Sequence, residues 1–205
     1  MEHIGICNRL NNKWGDKVNE REVDLIKKSQ KGDIDAFEEL IKDYKKIAYN
    51  IALRVMKNKE NAEDASQEAL IKVYKNIKNF NQKSTFKVWL YRIVMNACID
   101  LQRKNKHEVT SLDSLKKGKD NDYKVEIEDT SKGPDAILES KLNNEILYKC
   151  IDNLAEDHKQ IIILRDLQEL SYREISDVLN CSEGTVKSRL SRARTKLKKN
   201  LLDIM

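Results

Sequence analysis

Ser171-Tyr172-Arg173-Glu174-Ile175-Ser176-Asp177-Val178-Leu179-Asn180-Cys181-Ser182-Glu183-Gly184-Thr185-Val186-Lys187-Ser188-Arg189-Leu190, running on to Lys199, is the stretch that decides the fold. Ser171 and Glu174 have the spacing of a capping box, in which a hydroxyl takes an orphan helix N–H and the carboxylate three residues on reaches back. Ile175, Val178 and Leu179 give the short helix that follows one apolar face. Asn180 stands at the turn, where a left-handed backbone suits Asn. Ser182 is placed to cap a second helix, whose apolar residues Val186, Leu190, Ala193 and Leu197 share one side.

The second helix carries seven bases (Lys187, Arg189, Arg192, Arg194, Lys196, Lys198, Lys199) and one acid, Glu183, a net of +6 against +5 for the whole chain. A solvated helix normally interleaves acids for i, i+4 support, and this one does not. A basic helix with some other role is the alternative. Short helix, tight turn and basic helix together favour a helix-turn-helix whose second helix enters the major groove. Gly184, with no side chain, lets the helix N-terminus approach a phosphate.

Working outward, no glycine or proline occurs between Gly32 and Gly118, nor between Pro134 and Gly184. Such breaker-free stretches rich in Lys, Glu, Leu, Ile and Ala favour helices. The expected architecture is all-α: two small helical domains, 21–107 and 134–205, joined by a flexible linker over 108–133, the second a helix-turn-helix of winged-helix-like type. Residues 120–135 hold six acids against two lysines, net −4. Residues 1–20 form an extension that matches nothing assignable.

In the first domain, Ile34, Phe37, Leu40, Ile41, Tyr44, Ile47, Ala48, Ile51 and Val55 recur at helical spacing behind Asp33, a candidate N-cap. A second helix from Asn61 buries Ala65, Ala69, Val73 and Ile77. After a loop from Phe80 to Ser84, a third helix begins near Thr85 with Phe86, Leu90, Ile93, Val94, Ala97 and Leu101 as its core stripe.

Two other faces are not explained by a core. Asp64, Gln67, Glu68, Ile71 and Lys75 line up on the second helix, a polar stripe with one apolar residue set in it. Taken alone the pattern favours an ordinary solvated face. On the third helix Trp89, Arg92, Asn96, Asp100 and Arg103 fall along one side, flanked by Lys83, Lys87, Lys104 and Lys106. Aromatics stack on unpaired bases, amides read base edges and cations hold phosphates. A half-buried Trp89 and an intrahelical Asp100–Arg103 pair would produce the same spacing, and the sequence does not choose between the two.

Composition limits the alternatives. Hydrophobic residues make up 40% and charged residues 36% of 205, enough to pack cores. Cys7, Cys98, Cys150 and Cys181 lie far apart without a CxxC pair, which reads as reduced thiols of a cytoplasmic protein. His3, His107 and His158 do not cluster, so no metal site, cofactor or catalytic residue is expected. The longest purely apolar run, Ile161 to Leu164, is too short to insert in a membrane, and the N-terminus shows no signal peptide.

Several strings, in order, resemble the extracytoplasmic-function group of the sigma-70 family. In the first domain they are Gly32-Asp33, Ala36-Phe37-Glu38-Glu39-Leu40, Ala62-Glu63-Asp64-Ala65-Ser66-Gln67-Glu68, Phe86-Lys87-Val88-Trp89-Leu90-Tyr91-Arg92-Ile93 and Asn96-Ala97-Cys98-Ile99-Asp100. In the second they are Ser171-Tyr172-Arg173-Glu174-Ile175 and Glu183-Gly184-Thr185-Val186-Lys187-Ser188-Arg189-Leu190-Ser191-Arg192-Ala193-Arg194. Three positions depart from the family's pattern. Ala155 replaces a common proline, Ser176 an alanine and Asn180 a glycine.

The resemblance implies a sigma factor: a non-enzymatic subunit that binds core RNA polymerase and selects promoters. Asp64, Gln67, Glu68, Ile71 and Lys72 would meet the clamp helices of the polymerase largest subunit, and the second domain its flap. Phe80, Asn81, Lys83, Ser84, Phe86, Trp89, Arg92, Asn96, Asp100 and Arg103 would engage the promoter −10 element, with one base flipped into a pocket. Ser182, Thr185, Lys187, Ser188, Arg189, Arg192 and Arg194 would read the −35 element. The acidic linker would thread toward the polymerase active-site channel. The family often has an anti-sigma factor as a further partner. A helix-turn-helix activator or repressor working without polymerase is the rival reading, and it leaves Trp89, Asn96 and the Asp64 stripe unexplained. A helical enzyme has no phosphate loop, metal cluster or nucleophile–base pair to support it.

Overall fold

A computed structural model describes residues 20–111 and 144–204. The expected extension and almost all of the expected acidic linker lie outside these residues. Every regular element among the described residues is helical.

Helix α1 (Glu20–Gln30) was not marked by any spacing noted above; it ends where Gly32 takes φ +96° and Asp33 opens the next helix. Helix α2 (Ile34–Met56) is capped by Asp33, whose carboxylate accepts from the Ala36 N–H at 3.0 Å. Helix α3 (Lys59–Asn76) starts two residues before Asn61, because Asn58 is the cap and accepts from the Asn61 N–H at 2.9 Å. A 3₁₀ turn (Ile77–Asn79) and a loop lead into α4 (Phe86–Ser111). Helix α5 spans 144–152, and α6 (Glu156–Ile162) runs on into a π-helical turn over Ile163–Leu167. The helix-turn-helix is α7 (Tyr172–Leu179) and α8 (Glu183–Leu202).

Its local chemistry is the one expected. Ser171 and Glu174 form a complete capping box, and Asn180 takes the left-handed backbone at φ 49° that a glycine would otherwise supply. The Asn180 and Cys181 N–H groups both donate to the Ser176 carbonyl, closing the turn. Ser171→Ala removes the cap and frees a buried Glu174 carboxylate. It is expected to lower stability by about 1–2 kcal/mol, read as an earlier thermal unfolding transition.

The expected core stripes are mostly buried, with one clear exception. Ile34 is 57% exposed, because the first residue of α2 has no preceding turn for its side chain to lie on. Helix α4 differs more instructively. Besides Phe86, Leu90, Val94 and Ala97, it also buries Val88, Tyr91, Met95 and Cys98. One stripe suffices to pack α4 on α2 and α3. The further burial arises because the second helical unit covers the other side, α7 packing on α4 and α6 on α2. The two units thus share one continuous apolar core.

The seam between them also holds polar groups. The Tyr91 hydroxyl donates to Gln168 Oε1 at 2.9 Å, Arg54 donates to the Tyr148 hydroxyl at 3.0 Å, and Gln102 bridges the Val55 carbonyl and Glu156. Lys159 is wholly enclosed here, with Nζ 3.3 Å from Glu156 Oε1. Burial pushes its ammonium down to about 8 despite Glu156 beside it. Nothing in the local spacing of α6 announces a buried lysine.

Candidate nucleic-acid interface

Helix α8 presents its outward face because Val186, Leu190 and Ala193 anchor the opposite one. Ser182 caps it, accepting from the Thr185 N–H at 3.1 Å, and the two hydroxyls lie 2.9 Å apart. Ser188 and Arg192 follow on the solvent side; Arg192 donates to the Ser188 carbonyl at 3.3 Å and to its hydroxyl at 3.4 Å. A Cβ at Gly184 would meet only Ser182 Oγ, at 3.7 Å, so packing does not require glycine there. Lys187 is exposed, with Nζ 5.9 Å from the Tyr172 ring centroid. Arg189 is half-buried and pairs with Asp157 at 3.4 Å. Arg194, expected among the DNA readers, is instead held by Asp166 of the π turn. Two residues along a helix is a rotation of about 200°, which carries Arg194 away from the face of Arg192.

On the other unit, Phe80 and Phe86 are 5% and 1% exposed, so they are supports and offer no surface to a base. Their rings pack edge-on at 5.7 Å, and Trp89 lies over both at 4.9 and 5.7 Å. Trp89 is half-buried. The loop before α4 is built by short-range bonds: Asn81 Oδ1 accepts from the Lys83 N–H at 3.2 Å, and Gln82 takes a left-handed backbone at φ 57°. Asn81 and Lys83 are exposed, and Ser84 is half-buried. Along α4, Arg92, Asn96, Asp100 and Arg103 are all exposed. The suspected Asp100–Arg103 pair is replaced by a bridge between helices, Asp100 facing Lys72 of α3 at 3.6 Å.

Asp64, Gln67, Glu68 and Ile71 form one exposed stripe on α3. Lys72, half-buried at its edge, pairs with Glu68 at 2.9 Å, and that hydrogen bond raises its affinity for the proton. Ile71 is 53% exposed and Tyr74, which the sequence did not single out, is 44% exposed. Tyr74 packs edge-on against Phe37 at 4.9 Å, so its ring is fixed while its outer edge extends the apolar part of the stripe. Its i+3 relation to Ile71 was the available signal.

The two candidate DNA faces meet. Arg92 Nε donates to the Asp177 carbonyl of α7 at 2.8 Å. Arg92, Asn96, Asp157, Asn180 and Arg189 line a single cleft of about 240 Å³. The arrangement therefore places part of each face against the other.

Sequence comparison decides what these surfaces belong to. The family model for sigma-70 region 2 matches residues 40–108, and that for sigma-70 region 4 matches residues 144–197. The ECF RNA polymerase sigma factor SigW of Bacillus subtilis (strain 168) is 38% identical over 185 residues, covering 87% of this chain and 96% of that protein. This chain belongs to the sigma-70 family, in its ECF group. The ECF sigma-E factor of Haemophilus influenzae is another relative, 32% identical over 182 residues, covering 88% of this chain and 95% of that one. Among solved structures, the sigma factor RpoE from Bartonella quintana, bound to the anti-sigma factor NepR, superposes with a TM-score of 0.64 at 27% identity over 80% of this chain and 96% of that chain. CnrH, solved with the cytosolic domain of CnrY, shares the fold at a TM-score of 0.61 and 23% identity, covering 90% and 98%.

The region 2 match in this sigma factor covers most of α2 with α3 and α4, and the region 4 match covers α5–α7 and most of α8. Among the described residues, no helix is long and apolar enough to cross a membrane.

Proposed function

We propose that this sigma factor is a non-catalytic subunit that docks on core RNA polymerase in the cytoplasm and directs transcription from its own class of promoters. The observation that carries the reading is the pairing, in one chain, of a region 2 that sets Trp89, Arg92 and Asn96 along one side of α4 with a region 4 whose Ser188–Arg192 face is exposed and basic. A free-standing activator would need only the second. Region 4 reads the −35 element through Thr185, Ser188, Arg189 and Arg192, with Lys187 on the phosphates. Region 2 holds the −10 element through the 81–84 loop and α4. There, unstacking a base costs a few kcal/mol, and stacking on an aromatic returns about 1–3 kcal/mol. Trp89, half-buried and packed on Phe80 and Phe86, is the aromatic placed for that exchange. Run-off transcription with purified core polymerase and genomic DNA tests the function. Absence of start-site selection, together with tight unaided binding to a duplex operator, would favour the activator instead.

The stripe of Asp64, Gln67, Glu68 and Ile71 is the surface for the polymerase clamp helices, with Lys72 at its edge, and region 4 is the part that meets the flap. Reversing the charge at Asp64 and Glu68 together is expected to abolish capture of core polymerase. Both side chains are exposed, so thermal unfolding should shift little, the lost Glu68–Lys72 pair costing about 0.3–0.5 kcal/mol. Normal pull-down of polymerase by this variant would remove the assignment.

The cleft shared by Arg92, Asn96 and Arg189 bears on how the DNA sites become available. Two promoter elements cannot be held while their readers face each other, so docking on polymerase separates α4 from α7. Fluorescent labels on α4 and α8 should report a larger separation in the holoenzyme than in the free protein. An unchanged distance would contradict this. An anti-sigma factor, of the kind seen with RpoE, is a further partner under this reading.

A further inference from the structure

The stop signal of α1 places one amide where it reaches far along the chain. The Gly32 N–H donates to Ser29 and the Asp33 N–H to Lys28, closing α1 and leaving Gln30 in its last turn. From there Gln30 Nε2 donates to the Ile77 carbonyl at 3.1 Å and to the Phe80 carbonyl at 2.8 Å. One side-chain NH₂ group thus uses both of its donors on the backbone that enters the 81–84 loop. Ile77 closes the 3₁₀ turn by accepting from the Phe80 N–H at 3.0 Å, but Phe80 has passed out of helical geometry, and its carbonyl has no partner within a turn.

The other end of the loop is pinned separately. Thr85 caps α4, its hydroxyl accepting from the Val88 N–H at 3.3 Å and its carbonyl from the Trp89 N–H at 3.1 Å. Between the two pins run Asn81, Gln82, Lys83 and Ser84, with the left-handed residue in the middle. The loop is too short to form a core of its own, so its shape depends on where its two ends are held.

We propose that Gln30 is a positioning residue for recognition of the −10 element: its two hydrogen bonds fix the entry strand of the 81–84 loop so that the loop is already shaped for a flipped base. The inference rests on the assignment of that loop to the −10 element. Gln30 itself need not touch DNA. Without the amide, Phe80 keeps its ring packing but its carbonyl is released, and the loop must be ordered when the base arrives.

The test uses holoenzyme reconstituted from core polymerase and full-length variants, binding fork-junction DNA with an unpaired non-template −10 strand. The probes are the intact fork and a series carrying an abasic site at each −10 position in turn. Gln30→Leu keeps the bulk and loses the donors; Gln30→Glu keeps the shape and sets acceptor against acceptor; Gln30→Lys keeps a donor. The Leu and Glu variants are expected to bind the intact fork about tenfold more weakly. They should bind like the native protein once the captured base is missing, and the Lys variant should stay within about twofold of native on every probe, by the same reasoning. A uniform loss on intact and abasic forks would mean a merely structural role and would overturn the inference, as would native binding by both the Leu and Glu variants. If the native holoenzyme itself shows no penalty at any abasic position, the loop's assignment fails, and the inference with it.

Discussion

Arg192→Ala is expected to lower transcription from a −35-dependent promoter by about tenfold to a hundredfold, the range for loss of an arginine that pairs with a base edge. The structure makes the experiment clean. Among the described residues, the guanidinium of Arg192 bonds only to Ser188 of its own helix, and the side chain is exposed. Its removal therefore costs the fold little, and core polymerase capture should survive. Arg194→Ala is the matched control. It deletes a cation from the same helix but breaks only the exposed pair with Asp166, worth about 0–1 kcal/mol. If α8 read DNA through bulk positive charge alone, both variants would lose similar activity, with similar dependence on salt. If it reads through one face, Arg192→Ala should fall far below Arg194→Ala. Equal transcription from both variants and the native protein would count against the −35 assignment.

The second large effect is on stability, at Lys159. Its ammonium titrates at about 8 in the folded chain against 10.5 when free, chiefly because it is buried. Below pH 8 the group is charged both folded and unfolded, and burying the charge weakens the fold by about 3 kcal/mol. As pH rises from 8 toward 10.5, the folded chain sheds the proton while the unfolded chain keeps it. The penalty therefore fades, and the contribution of Lys159 to stability rises across that window. Lys159→Met removes the charge and keeps much of the volume. It is expected to raise the melting temperature at pH 7 by several degrees, and that advantage over the native protein should shrink between pH 8 and 10.5. Glu156 would lose the lysine, but it keeps the hydrogen bond from Gln102 and its side chain is partly exposed. Asp152 and Lys57, the other charges facing Lys159, act on it in opposite directions, so the Met variant loses one attraction and one repulsion. A lower melting temperature for the Met variant would show that the Glu156 pair outweighs the burial.

Lys159 also bears on how the two regions separate. It lies where α6 meets α2, beside Lys57, and the Lys57 ammonium donates to the Asp152 carbonyl across the same seam. A buried charge at a seam favours exposure, so Lys159→Met should also hold regions 2 and 4 together more firmly. The labels used for the holoenzyme experiment can report that directly.

Much of the molecule was written in short-range terms. The capping box at Ser171 and Glu174, the Asp33 cap, the left-handed Asn180 and the apolar spacing of α2, α3 and α8 each involve residues within about one or two helical turns. Local chemistry settles such features whatever surrounds them, and all of them are present in the structure. The ordered motif strings likewise pointed to the family before any fold was known. The exposed stripe of Asp64, Gln67, Glu68 and Ile71 was visible for the same reason, since helical spacing alone puts those residues side by side.

What the sequence could not settle is what each helix faces. The residues of α4 that press on region 4, Tyr91 and Met95 among them, have the same spacing as a second core stripe or a solvated face. Phe80 and Phe86, expected among the residues that engage the −10 element, are buried, because burial depends on partners that spacing does not show. Arg194 and Arg192 are equally basic in sequence, and the pairing of Arg194 with Asp166 of the π turn is seen only in the tertiary structure. Lys159 is enclosed beside Lys57, at the far end of α2, and Gln30 reaches a loop across 47–50 positions. Periodicity records which side chains share a face, because helix geometry is local. The neighbour that covers that face is chosen by packing over the whole chain, and only the tertiary structure shows it.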